Sequence, residues 1–475
     1  MKHRYVYIQT IGCQMNVYDS EQMVNLLASL GYIPVTSMDR ADLIIVNTCA
    51  IREKAEQKVF SFLGRLVKLK RKKANLIIAV AGCVAQQEGQ KILDRMPHVD
   101  LVFGTHAVGR LPRMIQRIAA GDGPIVDIDM SNTITAGILN EHSTESSPGV
   151  SRFVTIMQGC DNFCSYCVVP YVRGRELSRA PADIIREIKH LVACGAREVT
   201  LLGQNVNSYG KKEHLCSFPE LLEQVCRIEG ISRVRFTTSH PKDLSNELMH
   251  AFKDLDVLCR HIHLPVQSGS NRVLKLMNRK YTRESYLEKV DTLRQLCPEI
   301  ALSSDFIVGF PGEAPEDFQQ TLDLIQTVEY DSLFAFKYSD RPNVPAADFP
   351  DKISEAEKTE RLQTLLKAQE YYTGSKHQTL VGTTCRVLVE GLSKRKTETV
   401  GIEEVPNAQW SGRTSSNKIV NFSVDEHACL AGDDLTGRMM DIKIEKAFSH
   451  SLWGRPVDGK TDLSDAEGEN RYHAA

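Results

Sequence analysis

Three cysteines, Cys13, Cys49 and Cys83, each stand just behind a short apolar run, and they lie 36 and 34 residues apart. The runs cover residues 5–8, 43–46 and 76–80, and a fourth follows at 101–103. Helical patterns fill the intervals, one from about residue 20 to the stop at Gly31 and a charged one from about Arg52. Alternating strand and helix over residues 1–130 predicts an open parallel α/β sheet. In such a sheet the loops after the strands gather along one edge. Cysteines distant in sequence then become neighbours and form a candidate metal site. The plainer reading is three thiols buried as ordinary core residues.

The chain has 13 cysteines, an odd number, so they cannot all pair as disulfides. Cysteines at distinctive spacing in a reducing compartment point to metal or catalysis. Seven of them (Cys194, Cys216, Cys226, Cys259, Cys297, Cys385 and Cys429) lack such spacing and read as small core hydrophobes. No signal peptide and no membrane-length apolar stretch is recognisable, which predicts a cytoplasmic protein without membrane contact. The formal net charge of −2 excludes a globally basic surface, so any nucleic acid must be met by local patches.

Residues 131–150 are polar and read as a linker. Residues 151–375 repeat strand and helix six times, with strand candidates at 153–156, 199–202, 234–237, 261–264, 302–308 and 333–336. That count suits a partial TIM-like (β/α)6 barrel, whose active site opens at the strand carboxyl ends. A charged helix at 353–372 connects to residues 376–448, where short runs with glycine turns predict a small antiparallel β-barrel. Residues 449–475 read as a polar tail.

Cys160, Cys164 and Cys167 follow the first barrel strand with the spacing C-x3-C-x2-C, Tyr166 preceding the last. Three thiolates on one loop could hold zinc with a remote fourth ligand, or an iron–sulfur cluster. On this motif and its placement the chain resembles the radical S-adenosylmethionine superfamily. The resemblance implies a [4Fe–4S] cluster whose fourth iron chelates S-adenosylmethionine and whose electron yields a 5′-deoxyadenosyl radical. Gly12-Cys13-Gln14-Met15-Asn16, Asn47-Thr48-Cys49-Ala50-Ile51-Arg52-Glu53-Lys54-Ala55 and Gly82-Cys83 resemble the methylthiotransferase family. That resemblance makes Cys13, Cys49 and Cys83 the holders of a second [4Fe–4S] cluster carrying sulfur. The wording is closest to the MiaB type, which implies tRNA bearing N6-dimethylallyladenosine at position 37 as substrate. The final barrel resembles a TRAM domain, an OB-like RNA-binding module.

By the same resemblance, Tyr166, Gly203, Gln204, Ser239, Gln267, Arg279 and Asp305 are candidate S-adenosylmethionine contacts, with Arg279 pairing the carboxylate. No side chain is expected to act as acid or base. Lys394, Arg395, Lys396, Arg413 and Lys418 are candidate RNA contacts, as is the basic run 68–73; a solvated basic face is the alternative. Implied partners are tRNA, an electron donor such as flavodoxin or ferredoxin, and a sulfur supply, with the chain a monomer. Two other readings stand beside this one: a methylthiotransferase for another RNA base or a protein side chain, and a non-catalytic RNA-binding iron–sulfur sensor.

Overall fold

The computed structural model describes residues 3–50, 53–130, 149–393, 409–424 and 434–457, with side chains in the second span from residue 57. The segments 131–148 and 458–475, together with Lys394, Arg395, Lys396 and Cys429, lie outside the described residues.

Six strands build the first sheet: β1 (Arg4–Ile11), β2 (Tyr32–Pro34), β3 (Leu43–Thr48), β4 (Ile77–Gly82), β5 (Leu101–Phe103) and β6 (Ile125–Asp127). All pairings are parallel, in the order β2-β1-β3-β4-β5-β6. β3 and β4 are buried along their whole length, as a sheet covered on both faces requires. Helices α1 (Gln14–Ala28) and α2 (Glu53–Lys72) follow β1 and β3, α3 (Cys83–Glu88) and α4 (Gln90–Arg95) follow β4, and α5 (Leu111–Ala120) follows β5. One face of the sheet, with Leu43, Ile45 and Ala79, packs on α1 and α5. The other, with Ile44, Val46, Ile78 and Val80, packs on α2 and α4. Two edge strands, β2 and β6, do not figure in the sequence reading. Helix α1 starts at Gln14, well ahead of the expected residue 20, because Cys13 supplies its N-cap.

The central unit contains β7 (Ser151–Thr155), the hairpin strands β8 (Met157–Gln158) and β9 (Leu177–Ser178), then β10 (Glu198–Leu202), β11 (Arg233–Phe236), β12 (His261–His263), β13 (Ala301–Val308) and β14 (Ser332–Lys337). Two parallel three-stranded sheets, β7-β10-β11 and β12-β13-β14, are joined by a single bridge between Val234 and Leu258. The helices are α6 (Val169–Val172), α7 (Pro181–Ala193), α8 (Phe218–Cys226), α9 (Asn246–Asp254), α10 (Asn271–Leu276), α11 (Arg283–Leu296) and α12 (Pro315–Val328). Val199, Leu201, Val234, Phe236, Ile262, Leu302 and Phe306 belong to the large core packed under those helices. Strand side chains alternate between faces, so Arg233, Arg235, His261, His263, Ser303, Asp305 and Phe334 turn into the barrel interior. The six barrel strands fall where the sequence reading expects them; the β8–β9 hairpin does not figure there.

Helix α13 (Glu355–Gln378) leads to β15 (Thr384–Leu392), β16 (Gln409–Thr414), β17 (Ile419–Ser423), β18 (Met439–Ala447) and β19 (Leu452–Pro456). These close a barrel in the order β15-β16-β17-β19-β18. It is not wholly antiparallel, since β17 and β19 run parallel. β19 lies inside the stretch expected as a polar tail. Its buried Leu452 joins Val387, Phe422 and Ile442 in the small core, which a five-strand closure needs.

The turn after β16 plugs the amino-terminal mouth of the central barrel. Arg233 donates to the carbonyls of Arg413 and Arg386, and Arg235 donates to those of Thr414 and Ser415. Lys418 is buried in an ion pair with Asp331 at 2.7 Å. Arg413 pairs with Glu390 at 3.0 Å. These two cations were expected on an RNA face; Lys418 instead fastens one domain to another, and Arg413 is held within its own barrel. Cys259 and Cys297 are buried as expected, whereas Cys194 is exposed at the end of α7. Among the described residues no helix is long and apolar enough to cross a membrane.

Candidate active site

The first thiol set assembles at the carboxyl edge of the parallel sheet. Cys13 caps α1, Cys49 follows β3, and Cys83 opens α3. Hydrogen bonds link the Cys49 thiol to both Cys13 and Cys83, so the three sulfurs converge. The bond from Cys49 brings the Cys13 thiol down to about 6 and the Cys83 thiol to about 7, while Cys49, as the donor, is pushed up. Nearby Arg173 adds to both lowerings.

Asn16 organises this edge. It is fully buried; its Oδ1 accepts from the Cys13 backbone and thiol, each at 3.3 Å. Its Nδ2 donates to Asn47 Oδ1 at 3.0 Å and to the Thr48 carbonyl at 3.1 Å. Asn47 returns a bond to the Asn16 carbonyl at 2.8 Å. The glycines before Cys13 and Cys83 are required by space. A Cβ on Gly12 would sit 2.3 Å from Asn16 Oδ1, and one on Gly82 would sit 2.4 Å from the Thr48 carbonyl. The sequence reading quoted Asn16 and Asn47 within motifs but gave them no role. Two buried amides beside two candidate ligands were the available signal.

The second thiol set lies on the loop after β8. Gly159 has φ of 80°, and a Cβ there would lie 2.0 Å from the Arg175 carbonyl. Its N–H donates to Gln204 Oε1 at 2.5 Å. Ser165 fastens the loop to α10, and Asn278 holds the Phe163 carbonyl at 2.9 Å. Burial pushes the Cys160 thiol up to about 11 and the Cys167 thiol to about 12. A bound metal reverses that, since a coordinating thiol is deprotonated.

Of the expected cofactor contacts, Arg279 is placed differently from the expectation. Its guanidinium is buried under the loop, 3.4 Å from Cys164 Sγ and 3.4 Å from the Tyr166 hydroxyl, with Nη2 on the Pro265 carbonyl at 2.6 Å. It secures the cluster loop. Gln204 is likewise occupied with Gly159. Gly203 leaves no room for a side chain, as its Cβ would meet Met157 at 2.4 Å. Gln267 has φ of 78° and donates its N–H to the Asp305 carbonyl at 2.9 Å. The Asp305 carboxylate faces His263 at 3.5 Å.

Ser239 Oγ, Gln158 Nε2, Asn205 Oδ1, Asn207 Oδ1 and His240 Nε2 are buried without a hydrogen-bond partner. Orphaned polar atoms at strand ends fit a polar ligand completing them. His240 accepts from the Lys242 N–H through Nδ1, which leaves the proton on Nε2. Burial, with Arg279 and Lys242 nearby, keeps the ring neutral. Gln158 and Asn207 extend the polar set that the sequence reading named.

The two thiol sets meet across a thin apolar layer. Ala50, Cys83 and Val84 of the sheet edge pack on Val168 and Val172, just beyond Cys167. The next residue, Arg173, crosses into the first domain. It pairs with Asp19 at 2.7 Å and hydrogen bonds the Cys83 thiol. Thr105 and His106 hold the carbonyls of Val172 and Arg173 at 2.7 and 3.0 Å.

Comparison with known proteins matches the chain to three family models. They are Uncharacterized protein family UPF0004 over residues 5–104, the Radical SAM superfamily over 154–325 and the TRAM domain over 378–457. A protein of Desulfosudis oleivorans named tRNA-2-methylthio-N(6)-dimethylallyladenosine synthase is 54% identical, covering 95% of this chain and 96% of its own. Proteins of the same name from Syntrophus aciditrophicus and Geobacter sulfurreducens are 51% and 47% identical, over 95% and 97% of this chain and 94% and 99% of theirs. Among solved structures, a radical S-adenosylmethionine methyltransferase, TsrM, from Kitasatospora setae superposes with a TM-score of 0.55 at 15% identity. It covers 73% of this chain and 77% of its own, a likeness of fold. Identity of this extent over nearly the full length of both partners makes the chain a member of the tRNA-2-methylthio-N(6)-dimethylallyladenosine synthase family, radical S-adenosylmethionine enzymes with two [4Fe–4S] clusters.

Proposed function

We propose that the chain places a methylthio group on adenine carbon 2 of N6-dimethylallyladenosine at position 37 of tRNA, using S-adenosylmethionine as both methyl donor and radical source. The observation that carries this reading is the pair of three-thiol sets on separate domains, where Ala50, Cys83 and Val84 beside one set pack on Val168 and Val172 just beyond Cys167 of the other. A single radical source needs one set. A second set on the neighbouring domain suits the delivery of sulfur to the same substrate atom. When bound, the cluster groups supply a carbon radical able to take an unactivated hydrogen, and a carrier for sulfur.

The chain's own residues do the rest. Cys160, Cys164 and Cys167 hold one cluster, steadied by Arg279 and by the Gln204–Gly159 bond. Cys13, Cys49 and Cys83 hold the other, steadied by Asn16. Gly203, Ser239, Gln267 and Asp305, joined by Gln158, Asn207 and His240, form the S-adenosylmethionine site. Tyr166 lies against it. Lys394, Arg395 and Lys396 meet the tRNA. An electron donor of the flavodoxin or ferredoxin type and a sulfur supply complete the system, with the chain a cytoplasmic monomer.

The test separates the two sets. Oxygen-free reconstitution of the full chain should give about eight irons, as two four-iron clusters imply. Alanine at Cys160, Cys164 and Cys167 should abolish 5′-deoxyadenosine formation. Alanine at Cys13, Cys49 and Cys83 should leave cofactor cleavage and stop modification of the tRNA. Equal loss of cleavage in both variants contradicts the division of roles.

A further inference from the structure

We propose that Phe334 and Phe336 form the surface that recognises the N6-dimethylallyl group of the substrate base. This rests on the function proposed above. Both residues lie on β14, the open edge strand of the central barrel. Leu333 and Ala335 pack against the core under the helices, so the alternating Phe334 and Phe336 turn inward. They pair in register with Asp305 and Ile307 of β13. Yet Phe334 is 53% and Phe336 37% exposed, whereas Phe306 and Phe310 nearby are fully buried.

An aromatic pair left in water forgoes the stabilisation that burial would bring, and on an edge strand it invites association. Exposed apolar surface on the inward face of an edge strand marks a ligand surface. Its place indicates which part of the ligand. Ile307, beside Phe336, packs in the same cluster as Tyr166 of the cysteine loop. A base that presents carbon 2 to the radical source therefore passes this wall. A dimethylallyl group offers no hydrogen-bonding atom, so only apolar contact can read it. The His263 ring meets Phe334 edge-on, with centroids 6.2 Å apart, and fixes the plane of that wall.

The experiment measures dissociation constants of the reconstituted full chain for two anticodon stem–loops, identical except for the dimethylallyl group. The wild-type chain should favour the substituted form by roughly 10–200-fold, the range seen for apolar discrimination in a pocket. Phe334→Ala combined with Phe336→Ala should bring the ratio close to one. Phe336→Leu should keep part of it. Melting temperature and tRNA-independent cofactor cleavage should not change, because neither ring supports the core. An unchanged ratio in the double variant, or a ratio of one in the wild type, overturns the inference and leaves the functional reading standing. Failure of the wild type to bind either stem–loop overturns both.

Discussion

Lys418 separates two roles that sequence alone cannot. Its ammonium is 2.7 Å from Asp331 Oδ1, with side-chain exposures of 10% and 13%. Lys418→Met keeps the length of the side chain and deletes the charge. Asp331 then keeps the Leu302 N–H at 3.0 Å and Lys376 at 3.4 Å on Oδ2, so its charge is not orphaned. The loss is one charge-assisted hydrogen bond, about 1.5–3 kcal/mol, and the surviving partners place it at the low end. A loss of about 1.5 kcal/mol shifts the docking of the small barrel about tenfold. Hydrogen exchange of the 414–418 turn in the reconstituted protein should quicken by that factor. The salt slope of tRNA binding should stay the same. Were Lys418 a phosphate contact, the slope would fall by about 0.7–0.9, with turn exchange unaltered, and the interface assignment would be refuted. The pH dependence has a fixed sign. Burial would raise the Asp331 carboxyl, but Lys418 and Lys376 hold it below the usual range. The stabilisation is therefore complete above the unfolded carboxyl value of about 3.9 and is lost as pH falls below it.

Gly159→Ala should lower the iron content from about eight to about four per chain, because a Cβ there meets the Arg175 carbonyl at 2.0 Å. Iron analysis after reconstitution reads this out; full loading would show that the loop adapts. Asn16→Ala should cost about 1–3 kcal/mol in the melting of the first domain, since it strands Asn47 Oδ1 and the Cys13 N–H. Asn16→Asp should cost more than Asn16→Ala, as a carboxylate would face the Asn47 and Thr48 oxygens.

The fold was legible where its signal was periodic. The barrel strands each bury alternate residues under helices, and all six stand out as apolar or alternating runs. β2 and β6 are three-residue edges, and β19 is held by closure with β17 and β18, a non-local fact. The cysteines stood out because thiols at loop spacing have few other uses. Lys418 did not, because it gains its meaning from Asp331, 87 positions away. The position of Arg279 between Cys164 and Pro265 depends on how α10 docks on the cysteine loop, and no local pattern encodes that.

Arg173 shows what the junction of the domains contributes beyond packing. The sequence reading passed over it, yet its guanidinium is the one described cation whose charge lowers both the Cys13 and Cys83 thiols. It comes from the domain that holds the other thiol set and is only 4% exposed. The potential of an iron–sulfur cluster follows net charge and hydrogen bonds to its sulfurs. Arg173→Met removes one of each and leaves Asp19 with a buried, unpaired charge. Breaking such a pair costs about 3–5 kcal/mol, so Arg173→Met is made in an Asp19→Asn background and compared with the Asp19→Asn chain that keeps Arg173. In a chain that also lacks Cys160, Cys164 and Cys167, the remaining cluster should titrate at a more negative potential than its Arg173 parent, while Arg173→Lys should stay near it. An unchanged potential in a folded, iron-loaded double variant would reduce Arg173 to a strut between domains. A shift restored by lysine would mean that the radical domain sets the electronic state of the sulfur-bearing site through one side chain.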